Sequence, residues 1–141
     1  MMKFLFTLAL LLGLSACSSV QSLPDQALLD RYWRALEIEG KPVAVVDNRA
    51  EPHLVLAAEN RTHGSDGCNR FTGNYEISAP ALHFGRMAST MMACIPPTGL
   101  ISRQFIGALT ATASYRIQNK QLILLDSDGR IRMRLEATAL K

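Results

Sequence analysis

The sequence predicts a mainly β domain, a twisted antiparallel sheet closing toward a barrel with one amphipathic helix packed against it. Three observations predict it. Short runs of alternating apolar and polar residues recur along the chain, punctuated by Gly, Asn, Asp and Pro. One stretch only, residues 98–112, carries its apolar residues on a helical period. No internal repeat of about 20–50 residues is visible, which excludes a solenoid or propeller. A helix laid on such a sheet hides apolar surface that the sheet alone would leave wet.

Residues 1–16 read as an address label. Met1-Met2-Lys3 is a short basic start, and Phe4 to Leu14 is an apolar run of 11 residues. A bilayer core about 30 Å thick takes roughly 20 helical residues, so this run fits a signal peptide instead. Leu14-Ser15-Ala16-Cys17 follows. Small residues before a Cys resemble the lipobox of bacterial lipoproteins. That resemblance implies that Cys17 becomes the N-terminus and carries lipid. Two or more acyl chains hold stably, where one is marginal. Ser18, rather than Asp, after the Cys favours the outer membrane. Residues 17–30 are then a lipidated tether, polar and without apolar period, with a helical turn at Ala27 to Arg31. The domain proper is expected over 31–141.

The first strand is Tyr32 to Ile38, closed by Gly40-Lys41-Pro42. Glu51-Pro52 opens a second, His53 to Ala58, with Leu54 and Leu56 on one face. Arg61 to Ser65 is a third. Arg70 to Ile77 alternates Phe71, Gly73, Tyr75 and Ile77 against Thr72, Asn74 and Glu76. Leu82 and Phe84 mark one short strand, Met87 to Met92 another. Pro96-Pro97 breaks the pattern, and Thr98 is the expected N-cap of a helix to about Thr112. Ile101, Phe105, Ala108, Leu109 and Thr112 form its apolar stripe. Tyr115 and Ile117 begin a hairpin that turns at Asn119-Lys120 and returns through Leu122 and Leu124. Asp126-Ser127-Asp128-Gly129 is another turn. The last strand alternates Ile131, Met133 and Leu135 against Arg130, Arg132, Arg134 and Glu136.

Composition excludes some functions. The chain has 15 basic and 12 acidic residues, scattered rather than clustered, so no nucleic-acid footprint is expected. With Cys17 assigned to lipid, Cys68 and Cys94 remain, and an oxidising compartment makes a disulfide the default. Closing that loop contributes roughly 3–4 kcal/mol in the chain-entropy model. His53, His63 and His83 show no zinc spacing with the two Cys, and no C-x-x-C is present, so metal and redox readings are poor. No cofactor motif appears: there is no phosphate loop, dinucleotide fingerprint or H-E-x-x-H.

Two segments carry a family resemblance. Gly67-Cys68-Asn69-Arg70-Phe71-Thr72-Gly73-Asn74-Tyr75 and Met87-Ala88-Ser89-Thr90-Met91-Met92-Ala93-Cys94, in that order and before a helix, resemble the META domain family, which includes the heat-shock protein HslJ. Trp33 with Gly40-Lys41-Pro42-Val43, and Ser114-Tyr115-Arg116-Ile117 through Leu124, resemble its first strand and closing hairpin. The likeness spans about Arg31 to Leu135. Ala35 departs from it, where a larger aliphatic residue is usual, as does the absence of acidic residues at the helix start. The resemblance implies a barrel-like antiparallel fold, a Cys68–Cys94 pair, and an envelope protein linked to heat shock or resistance to an antibiotic such as novobiocin. It implies no reaction.

Candidate site residues each have a functional and a structural reading. Asn69 and Arg70 are either a recognition pair or, as favoured, a turn residue bonding local backbone and a cation paired with Asp66. Ser89 and Thr90 resemble a nucleophile only in type, because no aligned base or triad signature accompanies them. Met87, Met91, Met92 and Met133 read as core filler rather than a soft-metal set. Arg130, Arg132 and Arg134 read as the solvated face of a terminal strand, blunted against pairing. The expectation is a non-enzymatic outer-membrane lipoprotein facing the periplasm, whose partners are the membrane, through Cys17, and an envelope protein or apolar ligand. The alternatives are a carrier with a lipid in its barrel cavity and a secretion-pilot-like lipoprotein.

Overall fold

The computed structural model describes residues 27–138. The expected signal peptide, Cys17 and most of the tether lie outside them. Nine strands and one helix follow in order: β1 (Tyr32–Ile38), β2 (Lys41–Pro42), β3 (His53–Ala57), β4 (Arg61–Ser65), β5 (Arg70–Ser78), β6 (Ala81–Ser89), α1 (Thr98–Ala111), β7 (Ser114–Gln118), β8 (Gln121–Leu125) and β9 (Ile131–Thr138).

All pairings are antiparallel, and β9 returns to pair along β1, closing the ladder into a ring. The seams are uneven. The β5–β6 pairing is long, with a register shift between Gly73 and Tyr75. The β6–β7 pairing has a single register pair, Ala81 opposite Ser114. Two backbone bonds extend it, Leu82 N to Ala113 O at 3.1 Å and Tyr115 N to Pro80 O at 2.9 Å.

On β3, β5 and β9 the inward faces are those the alternation predicts, and β1 adds its own. Trp33 and Ala35 of β1, Leu54 and Leu56 of β3, Phe71 and Tyr75 of β5, and Met133 and Leu135 of β9 are buried. Helix α1 adds Phe105, Ala108 and Leu109 and packs against β6, β9, β1 and β8. Phe71 and Phe105 meet with ring centroids 5.6 Å apart. At about 25 cal/mol per Å², burying one such aromatic side chain contributes about 3 kcal/mol. These side chains form one buried apolar cluster inside the barrel.

Several elements differ from the sequence expectation. Leu82–Phe84 and Met87–Met92 are not two strands: β6 runs unbroken to Ser89 across the β5–β6 irregularity, and Thr90 onward leaves the sheet. Thr98 is the first helical residue rather than the cap, because Pro97 occupies the cap position and the Thr98 hydroxyl donates to Ile95 O at 2.7 Å. Leu28, placed in the expected tether, is fully buried, and its carbonyl accepts the Trp33 indole N–H at 2.9 Å. The folded body therefore starts before Arg31. Ile117 is partly exposed although it alternates with buried Tyr115. Asn119 and Lys120 do form the tight turn, both at positive φ (52° and 64°), the geometry that suits the strand twist.

Strand β9 is last in sequence but not an edge, since β8 and β1 flank it. Its arginines therefore do not blunt a free edge; they answer carboxylates. Arg132 lies 2.7 Å from Glu39 and 3.6 Å from Asp126, and Arg134 3.6 Å from Glu37. Arg34 of β1 bonds Glu136 and lies 3.9 Å from Glu51. Burial works against an ionised Asp126, but bonds from the Arg130 and Asp128 amides and the Arg130 guanidinium outweigh it and hold this carboxyl below its usual range.

Candidate functional site

The two motif segments meet at the turn between β4 and β5. Asp66, buried there, accepts from the Cys68 and Asn69 amides at 2.9 and 2.6 Å through Oδ1. Its Oδ2 accepts from the Ser102 hydroxyl of α1 at 2.8 Å. One carboxylate thus shapes the turn and ties it to the helix. Gly67 sits at φ +95°, where an L side chain is strained, and a Cβ there would come within 3.0 Å of Pro52 and 3.3 Å of Ile101.

Asn69 then reaches across to the other segment. Its Oδ1 accepts from the Met92 amide at 2.8 Å and the Thr90 hydroxyl at 2.9 Å, and its Nδ2 lies 3.4 Å from the Cys94 sulfur. Thr90 Oγ1 in turn accepts from the Arg70 amide at 3.2 Å, and Thr90 N donates to Arg70 O at 3.0 Å. The Cys68–Cys94 disulfide closes the same junction, with Cα atoms 6.0 Å apart.

The structure brings Cys68, Cys94, Asn69, Arg70 and Thr90 together, but in roles that differ from the expectation at two points. Asp66 shapes the turn, while Asn69 clamps the 90–92 segment. The expected Arg70–Asp66 pair does not form, because three donors take the Asp66 carboxylate inward and Arg70 is exposed. Ser89 is exposed and its hydroxyl donates to Thr90 O at 3.2 Å. Among the described residues no histidine bonds it. Nor is any group of three or more His, Cys, Asp and Glu arranged to hold a metal among them.

The histidines sit apart. His53 is half-buried in β3, stacked on Tyr32 with ring centroids 4.1 Å apart, its Nδ1 2.9 Å from Glu51 O. Burial, foremost, lowers its pKa despite Glu51. Burial and the bond to Glu51 raise the Tyr32 phenol well above its usual value. His63 and His83 are exposed on β4 and β6.

Methionine use corrects another expectation. Met133 is buried and Met87 packs against the core, but Met91 is 96% exposed and Met92 is exposed as well. Asn69 holds this segment by backbone, which turns its side chains outward. Val45 (90% exposed), Ile95 and Leu100 stand out in the same way around the start of α1. Between that helix start and residues 43–52 lies a pocket of about 120 Å³. Sequence reasoning missed it, although Val43-Ala44-Val45-Val46 is an apolar run outside every strand, and that is the signal that marks it.

The family model for the META domain matches residues 26–139. Among solved structures, a Burkholderia xenovorans protein determined by NMR is similar, with TM-score 0.64 and 28% identity over 82% of this chain and 86% of that one. A second protein solved by NMR matches with TM-score 0.62 and 23% identity, covering 79% of this chain and 92% of its own. The crystal structure of a DUF4847-family protein from Bacteroides vulgatus matches with TM-score 0.60 and 11% identity, over 83% and 99% of the two chains. The last two are likenesses of fold alone. No curated protein matches the chain significantly.

Proposed function

The chain belongs to the META domain family, and from that premise we propose that it is a non-catalytic lipoprotein acting in envelope stress tolerance by binding or scaffolding. Lipid on Cys17 holds it to the outer membrane with the domain facing the periplasm. The lipobox-like Leu14-Ser15-Ala16-Cys17 supports the anchor.

One observation carries the non-catalytic reading. The polar side chains that mark the motif, Asp66, Asn69 and Thr90, are engaged in bonds between the β4–β5 turn, the 90–94 segment and α1. A nucleophile needs an adjacent base and an acid–base group must face its substrate; these groups face one another. The motif stabilises a shape, and the shape is what a binding or scaffolding protein supplies.

The test is a deletion strain challenged with heat and with novobiocin. Wild-type protein restores growth and labels with palmitate in the outer-membrane fraction. Cys17→Ala does neither, and Ser89→Ala does both. Full rescue by unlabelled Cys17→Ala would contradict the anchor, and loss of rescue by stable Ser89→Ala would contradict the non-catalytic reading.

A further inference from the structure

The pocket beneath residues 43–52 has walls and charge that specify a ligand class. Val43, Val46, Pro52 and Ile101 supply apolar wall. Gly67 forms part of it, and a Cβ there would meet Pro52 and Ile101 and fill space the glycine leaves open. Three charged side chains also line it: Arg34, Arg49 and Glu51. Arg34 is already engaged by Glu136 and Glu51. Arg49 is exposed and has no ion pair among the described residues. Glu136 offsets Arg34, and Arg49 is left at the lining without a carboxylate contact, so an anionic group of a ligand would find its partner there.

Size narrows the class further. A pocket of about 120 Å³ is close in size to an engineered cavity of about 150 Å³ that holds benzene. That suits a branched chain of about four or five carbons. We infer that this pocket binds a short branched aliphatic carboxylate, with the hydrocarbon against Val43, Val46 and Ile101 and the carboxylate at Arg49. The inference rests on the binding reading above and names its site.

Two sources present this chemistry: a free short-chain acid, and a polypeptide ending in Leu, Ile or Val. The surroundings favour the polypeptide. Val45, Ile95 and Leu100 stand in water around the helix start, and a bound chain would cover them. The mouth is also clear of the tether. Pro52, which lines the pocket, precedes β3, whereas the chain enters the fold near the other end of that strand, where Asp30 N donates to Leu56 O at 2.8 Å.

The test uses the whole ¹⁵N-labelled chain in lipid nanodiscs, titrated with isovalerate, acetyl-Ala-Ala-Leu, the same tripeptide as its C-terminal amide, and isoamylamine. Both acids should shift the Val46, Gly67 and Ile101 amides saturably. The amide should bind about tenfold more weakly or less, the loss expected for one charge-assisted contact, and the amine not at all. Arg49→Gln should weaken both acids about tenfold, and Ala44→Trp should block both by filling the mouth. Tighter binding of the tripeptide acid than of isovalerate assigns the polypeptide source, and the reverse assigns the free acid. Equal binding of acid and amide, indifference to Arg49→Gln, or no saturable shift with either acid in a folded sample overturns the inference. Lipidation, read by mass on the same sample, tests the anchor separately.

Discussion

On the side built by β8, β9 and β1, charge meets charge. Arg132 answers Glu39 and Asp126, Arg134 answers Glu37, and Arg34 answers Glu136 and Glu51. Around the start of α1 the pattern changes. Arg49, Arg70 and Arg103 are exposed and unpaired among the described residues, and Val45, Met91, Ile95 and Leu100 stand in solvent. Yet the disulfide and the Asp66–Asn69 network lie directly beneath that second region. The difference teaches how the fold divides its work. A closed ladder with compensated charge holds the barrel together, and a heavily stapled turn presents uncompensated surface without losing its shape. Motif residues belong to the staple; binding belongs to what the staple exposes.

The largest expected effect separates the two faces of α1. Phe105→Ala should cost about 3–5 kcal/mol, because it leaves a cavity against Phe71. Leu100→Ala, on the exposed face of the same helix, should change stability by no more than about 0.5 kcal/mol. Urea melts of both decide it, and similar losses would erase the distinction. Next comes the staple. Cys68→Ser and Cys94→Ser should each lose about 2–5 kcal/mol, with the double mutant little worse, because either change removes the whole bond. Additive losses would contradict the pairing.

A smaller effect is expected on the compensated side. Arg132→Gln should cost about 1 kcal/mol, since it strips a partly buried partner from Glu39 and Asp126. Arg49→Gln should cost nothing measurable. If the two melt alike, the contrast in charge pairing carries no energy. The smallest effect is a pH dependence. Burial favours neutral His53 in the folded state, whereas the unfolded imidazole titrates near about 6.5. Its contribution is therefore complete above about pH 6.5 and declines as pH falls below it. Between pH 7.5 and 5.5 the loss should stay below about 1 kcal/mol, given partial exposure, and His53→Gln should remove it.

Much of this was legible in the sequence where one local rule decides the outcome. Alternation placed Leu54, Leu56, Phe71, Tyr75, Met133 and Leu135 inward, and the helical period placed Phe105, Ala108 and Leu109. Asn119-Lys120 announced its own turn. What escaped depends on distant partners. Whether β9 is an edge is set by its pairing with β1, about a hundred residues away in the chain. Met91 and Met92 look like core until Asn69, more than twenty residues earlier, fixes their backbone and turns them out. The pocket arises only when residues 43–52 fold over the start of α1. Asp66 was visible, but which of its neighbours takes it, the Cys68 and Asn69 amides rather than the Arg70 guanidinium, follows from the turn it shapes.

The claim beneath all of this is that the motif asparagine is a structural clamp. Urea unfolding of Asn69→Ala beside wild type, disulfide intact in both, measures it most directly. The Met92 amide and the Thr90 hydroxyl would lose their acceptor, so stability should fall by about 1–3 kcal/mol while binding at the pocket persists in the folded fraction. An unchanged midpoint together with lost binding would make Asn69 a recognition residue and contradict the account.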